Sequence, residues 1–308
     1  MDFRLTEDQR ALRDGVRALL TGRFGPEALR AAVARGGRGL DRALWRELGA
    51  AGFFSLRLPE ADGGAGLGLP EAVLAFEEAG RVLLPGPLVA THLAAGRVAG
   101  AADGETVVTA VHGGLVEWLD ESDTVWGDAG DPSGAVAVGA VPLTSVDPLT
   151  PLHRIPEGLP AGRFAGPTDP LAVLLTAAEQ LGNAARTCEA AVQHARTREQ
   201  FGQPIGAFQA VKHLCAGMLV RVELARAAVY AAAVTADPVD IAAARLLADD
   251  AAVRGARDCL QVHGGMGFTW ESDVHLYLKR AWVRARRGGP VTESEDVLAG
   301  DLIAGTGR

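Results

Sequence analysis

The chain has 308 residues, 48% hydrophobic and 22% charged, with a formal net charge of −8. That balance supports a sizeable core in two domains or one large one, and the acidic excess argues against nucleic acid as the main partner, leaving any anionic ligand to local basic residues. No stretch approaches the roughly 20 uninterrupted apolar residues of a membrane helix. Met1-Asp2-Phe3-Arg4-Leu5 lacks the basic-then-apolar pattern of a secretion signal, so a cytoplasmic location is expected. Cys188, Cys215 and Cys259 fall inside helical patterns and read as small buried hydrophobes rather than a disulfide, metal ligands or a nucleophile.

Thr6-Glu7-Asp8-Gln9 has the form of a capping box, with Leu12, Val16, Leu19 and Leu20 following at helical spacing. A second helix is expected around Leu40 to Leu48, with Trp45 on its apolar side. The glycine-rich run from Pro59 to Gly68 neither follows a clear strand in a βαβ unit nor fits Gly-x-Gly-x-x-Gly, so it reads as a loop rather than a phosphate cradle. A helix from Pro70 through Glu78 and a short helical piece to about Val98 complete a helical N-terminal part, 1–100.

The character changes over 101–167, where Thr106 to Val111, Thr124 to Trp126 and Ala135 to Val138 are short β-branched runs separated by Gly, Asp and Pro. These predict strands of a small β domain, with Trp118 and Trp126 as packing residues. Over 168–308 four long helical patterns follow. The first opens at Thr168-Asp169-Pro170, with Thr168 or Asp169 as cap, and runs to about Thr197; the second spans Gln209 to Ala236. The third runs from Val239 to Gln261 and the fourth from about Glu271 to Arg287, with a weak acidic helix from Ser294 to Ile303. Short links make these an antiparallel four-helix bundle, and the whole an α+β, mainly α fold. His194, His213, His263 and His275 lack metal-chelating spacing and read as surface or cap residues. The basic run Lys279, Arg280, Arg284, Arg286 and Arg287 reads first as a solvated face, and otherwise as a contact to a partner subunit or a phosphate.

Two stretches carry chemistry. Arg198-Glu199-Gln200-Phe201-Gly202-Gln203-Pro204-Ile205-Gly206-Ala207-Phe208-Gln209 places an arginine, an aromatic and glutamines at fixed offsets between two helices. A guanidinium forks onto two phosphate oxygens, and an aromatic packs on a flat ring. In Gln261-Val262-His263-Gly264-Gly265 the glycines let backbone approach a ligand, while Gln261 offers a donor and an acceptor. Either stretch alone is also compatible with a helix-connecting loop or a plain helix stop.

Both together, in this order, resemble the C-terminal signature of the acyl-CoA dehydrogenase family, and the Pro-Glu-x-x-Gly-Gly-x-Gly loop from Pro59 is similar to that family's N-terminal helical domain. In the family, the Arg-x-x-Phe-Gly segment of one subunit reaches the adenine and pyrophosphate end of an FAD bound mostly by its neighbour. The resemblance therefore implies FAD contacts from Arg198, Gln200, Phe201, Ile205, Phe208, Gln209, Gln261, Val262, Gly264 and Gly265. It implies an acyl-CoA substrate and an electron-transfer flavoprotein or similar acceptor. The family's Thr-Glu-Pro-like and Trp-x-x-Asn-like segments, which hold the flavin ring and the thioester, have no counterpart here, and the β domain looks shortened.

The family's chemistry needs a carboxylate base beside the substrate carbon. Its two known seats fall on Gly288 and on Ala172, neither of which carries a proton. Asp169, Glu179, Glu293 and Glu295 are the leftover acids for a relocated base. The pattern resembles the short subunit of bacterial α2β2 acyl-CoA dehydrogenases of sterol side-chain breakdown, in which a full-length partner supplies the glutamate. A self-sufficient homo-oligomer using a leftover acid, or a non-catalytic acyl-CoA-binding or partner-binding scaffold, are the alternatives. The acyl group itself is not written in the sequence.

Overall fold

The computed structural model describes residues 4–36, 39–112, 114–126, 139–156, 169–287 and 289–305. Helix α1, Glu7–Arg23, starts at the capping box: Thr6 Oγ accepts from Gln9 N–H, and Gln9 returns a bond to the Thr6 backbone. Helix α2, Pro26–Ala34, escaped the sequence reading although Pro26 stands in its first turn. Helix α3, Arg42–Ala50, is capped by Asp41 and buries Trp45 against Phe54. Helices α4, Leu69–Arg81, and α5, Leu88–Ala94, follow.

The described strands are β1 Val108–His112, β2 Leu115–Glu117, β3 Thr124–Trp126, β4 Val141–Leu143 and β5 Leu152–Arg154. They form one sheet in the order β3-β1-β2-β5-β4, with β1 and β3 parallel and the other pairs antiparallel. The strand expected at Ala135 to Val138 lies outside the described residues, as does Thr168. Trp118 is buried in the main core, and Trp126 is half-buried beneath the Arg97 guanidinium; both pack, as their flanks suggest.

The bundle is α6 Pro170–Thr197, α7 Gln209–Thr235, α8 Pro238–His263 and α9 Val274–Arg287, followed by α10 Val291–Gly305. Asp169 caps α6 and Asp237 caps α8, each accepting backbone N–H bonds ahead of a first-turn proline. Helix α4 crosses α6 at very close range. A Cβ on Gly80 would collide with the Glu179 carbonyl, and one on Gly182 with the Glu77 carbonyl, so only glycine fits at either place. Glu77, buried on α4, accepts from Arg226 and from Tyr230 Oη at 2.7 Å, while Glu78 holds Arg17 of α1 at 2.6 and 2.8 Å.

Three of the five basic residues on α9 are neither a solvated face nor free for a phosphate or a partner, whereas Arg286 is exposed and Lys279 half-buried. Arg280, Arg284 and Arg287 are buried, because their spacing puts them on one face of α9 that turns inward. Arg280 Nε donates to Asp147 at 2.5 Å, and its Nη1 donates to the Leu84 carbonyl. Arg284 Nη1 donates to Glu117 of β2 at 2.7 Å, and its Nε lies 3.0 Å from Glu179 of α6 as a charge contact rather than an aligned hydrogen bond. Arg287 stands 3.6 and 3.8 Å from the same two carboxylates. Burial alone would raise the Glu117 pKa, but Arg287 and Arg284 outweigh it and hold the group at about 2. His275, expected at the surface, is also buried; its ring meets Trp270 edge-on because α9 turns that side toward the preceding loop.

Removing Arg284 leaves Glu117 and Glu179 short of a countercharge in a dry interior. Arg284→Met is therefore expected to lower the unfolding free energy by about 3–5 kcal/mol, the usual cost of breaking a buried pair, measured by urea titration. Because the folded Glu117 pKa lies below its unfolded value of about 4.3, its stabilisation is complete above that value and is lost as pH falls toward about 2. A loss under about 1 kcal/mol in Arg284→Met, within the range of a solvent-exposed pair, would show the network to be dispensable.

Candidate functional site

Helix α6 ends where Arg198 turns extended, its N–H still donating to the His194 carbonyl at 2.8 Å. Two-residue strands β6 Glu199–Gln200 and β7 Gln203–Pro204 then pair antiparallel, and the Ile205 N–H closes the hairpin onto the Arg198 carbonyl. The turn is Phe201-Gly202, with φ of +55° and +78°. Two successive positive φ values match the twist of a tight hairpin, and Gly202 takes its value freely. Phe201 does not; a left-handed non-glycine residue costs about 1–2 kcal/mol. That strain holds its ring 90% exposed, with Phe208 meeting it edge-on at 6.0 Å. Gly206 lies so close to the Ala195 carbonyl of α6 that a side chain there would displace the loop.

The second turn ends α8. Gly264 takes φ +60° and ψ −143°, and a short 3-10 segment, Gly264–Phe268, carries the chain toward α9. A Cβ on Gly202, Gly264 or Gly265 would meet nothing, so the backbone there is open to an approaching group. Val262 is buried and anchors the turn, while Gln261 is exposed.

The two turns are brought side by side by histidines that the sequence reading left as surface or cap residues. The His194 and His263 rings stack with centroids 4.0 Å apart and 21° between their planes, and His263 Nδ1 lies 2.8 Å from the Cys259 carbonyl. The signal was present, since His194 stands one helical turn before Arg198 and His263 two residues after Gln261. Arg198, Gln200, Phe201 and Gln209 are exposed, and Ile205 and Phe208 half-buried. The Arg198 guanidinium makes no hydrogen bond or ion pair with any described residue. This edge is a row of uncommitted donors beside bare backbone and an aromatic face, a donor set suited to a phosphate linked to a flat ring.

The model of the acyl-CoA dehydrogenase N-terminal domain matches residues 6–104, and that of the C-terminal domain matches residues 173–291. The acyl-CoA dehydrogenase IpdE2 of Mycobacterium tuberculosis is 39% identical over 294 residues, covering 89% of this chain and 91% of the relative. The chain belongs to the acyl-CoA dehydrogenase family. Among solved family structures, the ChsE4–ChsE5 complex of Mycobacterium tuberculosis superposes with a TM-score of 0.82 at 27% identity, covering 98% of this chain and 99% of that one. A variant of the Tcur3481–Tcur3483 steroid ACAD superposes with a TM-score of 0.82 at 25% identity, covering 98% and 99%.

Against that family's chemistry, the acids of this chain are placed as follows. Ala172 is buried and carries no acid, and Gly288 lies outside the described residues. Glu179 is buried between Arg284 and Arg287, and Asp169 is spent on its cap. Glu293 and Glu295 are exposed on α10. Asp249, unnoticed in the sequence, has its pKa raised to about 6 by burial, partly offset by Gln180 and Arg245. It is enclosed between those two side chains. The cysteines carry no sign of nucleophilic use: burial pushes Cys259 up to about 12 and Cys188 to about 11. Among the described residues no group of His, Cys, Asp and Glu could hold a metal ion, and no helix is long and apolar enough to cross a membrane.

Phe201→Gly removes the left-handed strain together with one exposed aromatic contact. It is expected to change the folding free energy by less than about 1 kcal/mol, read from denaturant midpoints. A large loss would place the Phe201 ring in the core rather than at a binding edge.

Proposed function

We propose that this chain is the non-catalytic subunit of a heteromeric acyl-CoA dehydrogenase, lending its exposed edge to an FAD held mainly by a full-length partner that supplies the glutamate base. The flavin, when bound, takes the hydride from the carbon next to the one that loses its proton. Arg198 would pair with the pyrophosphate, Phe201 and Phe208 would pack along the dinucleotide, and Gln200, Gln209 and Gln261 would hydrogen-bond its polar edge. Ile205 and Val262 would support the walls, and the Gly264-Gly265 backbone would close against it.

The observation that carries this reading is a division of charge. Arg198 faces solvent without a countercharge, while the buried acids Glu117 and Glu179 are consumed by arginines. Among the described residues, the Arg198 guanidinium is thus open to an anionic ligand, and the buried acids Glu117 and Glu179 are not open to a substrate. Two similar solved structures, the ChsE4–ChsE5 complex and the Tcur3481–Tcur3483 steroid ACAD, are each named for two components, which supports a mixed assembly. The steroid named for one of them makes a steroid-linked acyl-CoA the substrate class to try first. An electron-transfer flavoprotein or similar acceptor would reoxidise the complex, and none of these steps needs a membrane or nucleic acid.

The test is to purify the chain alone and together with a full-length homologue. Alone, it is expected not to bleach a flavin on addition of acyl-CoA; the pair should copurify, be yellow and turn over. Arg198→Ala in the complex should raise the FAD dissociation constant by about 10- to 150-fold, the loss of one charge-assisted hydrogen bond worth about 1.5–3 kcal/mol. Turnover by the single chain, or FAD affinity untouched by Arg198→Ala, would refute the reading.

A further inference from the structure

The Arg198 and Gln261 turns end different helices, and among the described residues no hydrogen bond joins them. A ring stack does. His194 sits in the last turn of α6, and its own carbonyl receives the Arg198 N–H, so displacing the His194 backbone displaces Arg198. His263 is the last residue of α8, directly before Gly264, and its ring is fixed from behind at the Cys259 carbonyl, which accepts from Nδ1–H. With the His263 ring held from α8 and the His194 backbone bonded to Arg198, the 4.0 Å stack of the two rings sets the spacing between the turns.

We propose that His194 and His263 form a positioning pair: stacked ring on ring, they lock the arginine turn and the glycine turn into the one spacing at which both grip the same dinucleotide. The proposal rests on the reading above that this edge takes FAD. Neither histidine need touch the cofactor; each acts through the turn it adjoins.

The stack also makes the grip sensitive to acid. His194 is held below the ordinary histidine value by burial, then by His263 and Arg198. Beyond Arg198, the charged groups facing the pair line the cavity of about 570 Å³ that His263 borders. They are Arg186 of α6, the cluster of Arg17, Glu78 and Arg81, the pair of Arg30 and Asp273, and Glu271. Acids and bases there largely offset one another, whereas Arg198 and the second imidazole lie against His194 and both oppose its protonation. With the folded value of His194 depressed, the contribution of its neutral ring to the stack is complete above about pH 6.5 and is lost as pH falls below it.

The experiment follows release of FAD from the copurified complex by the fluorescence of free flavin, at pH 7.5 and pH 5.5. Wild type should release FAD faster at pH 5.5. His194→Ala should release it about 3- to 10-fold faster at pH 7.5, as expected for losing one aromatic pair. His194→Phe keeps a stacking ring that cannot titrate, so it should hold FAD as wild type does at pH 7.5 and lose the acid acceleration. Unchanged release in His194→Ala, or acid acceleration persisting in His194→Phe, overturns the proposal; should His194→Ala not fold, the pH profile of His194→Phe decides alone. Arg198→Ala, run in parallel, separates the two levels. Faster release there with no effect at His194 sinks only the positioning pair, and no effect at either position sinks the cofactor reading beneath it.

Discussion

The joint between helix α9 and the rest of the molecule is a set of three arginines and three carboxylates with almost no access to water. Arg280 binds Asp147, and Arg284 and Arg287 share Glu117 and Glu179. Taking six such groups out of water is expensive, and the arrangement persists only because each charge is met by an opposite one. The partners come from four places: the loop after β4, strand β2, helix α6 and helix α9 itself. Sheet, first bundle helix and last bundle helix are therefore fixed to one another by direction-specific contacts, where an apolar interface would tolerate sliding. His112, half-buried here with its Nε2 enclosed, has its pKa lowered to about 3 by burial and by Arg287.

A second constraint fixes the other side of α6. The crossing with α4 at Gly80 and Gly182 brings backbone against backbone, and Glu77 and Glu78 on α4 tie α7 and α1 to that helix. Helix α6 is thus fixed at its crossing with α4, and Arg81 of α4 also holds Glu189 nearer its C-terminal end, where the Arg198 hairpin begins. The strain stored in Phe201 is sustainable because the helix before it is held in this way.

What could be seen in the sequence was what depends on neighbours in the chain. The Thr6 capping box, the Asp169 cap with Pro170 in the first turn, and the apolar spacing of α6 are local signals, and the structure carries each of them. Strands β2, β4 and β5, each three residues with at most one β-branched side chain, were not read, whereas the equally short β3 was, because Thr124, Val125 and Trp126 all favour strands. The α9 arginines were misread because their partners lie 133 and 167 residues away in the chain, so composition alone could not reveal that they are neutralised. Their spacing could have: positions 280, 284 and 287 share one helical face with Leu276, while Arg286 lies off it and is exposed. The binding turns were legible as residue types, but their juxtaposition through His194 and His263 is a long-range contact that no local pattern announces.

The same network bears on catalysis. A group that takes a proton from carbon next to a thioester must be a carboxylate whose basicity is raised by a dry pocket and which can reach the substrate. Glu117 meets neither demand: two guanidinium groups lower its pKa to about 2 and occupy its approaches. Freeing Glu179 would mean stripping Arg284 and Arg287 of a carboxylate they share, leaving buried positive charge uncompensated. Asp249 has the raised pKa, but Gln180 already donates to its Oδ1 and the Arg245 guanidinium stands 3.7 Å from its Oδ2. The electrostatics that hold the described part of this chain together thus occupy the buried acids Glu117 and Glu179, while the exposed Arg198 guanidinium has no partner among the described residues.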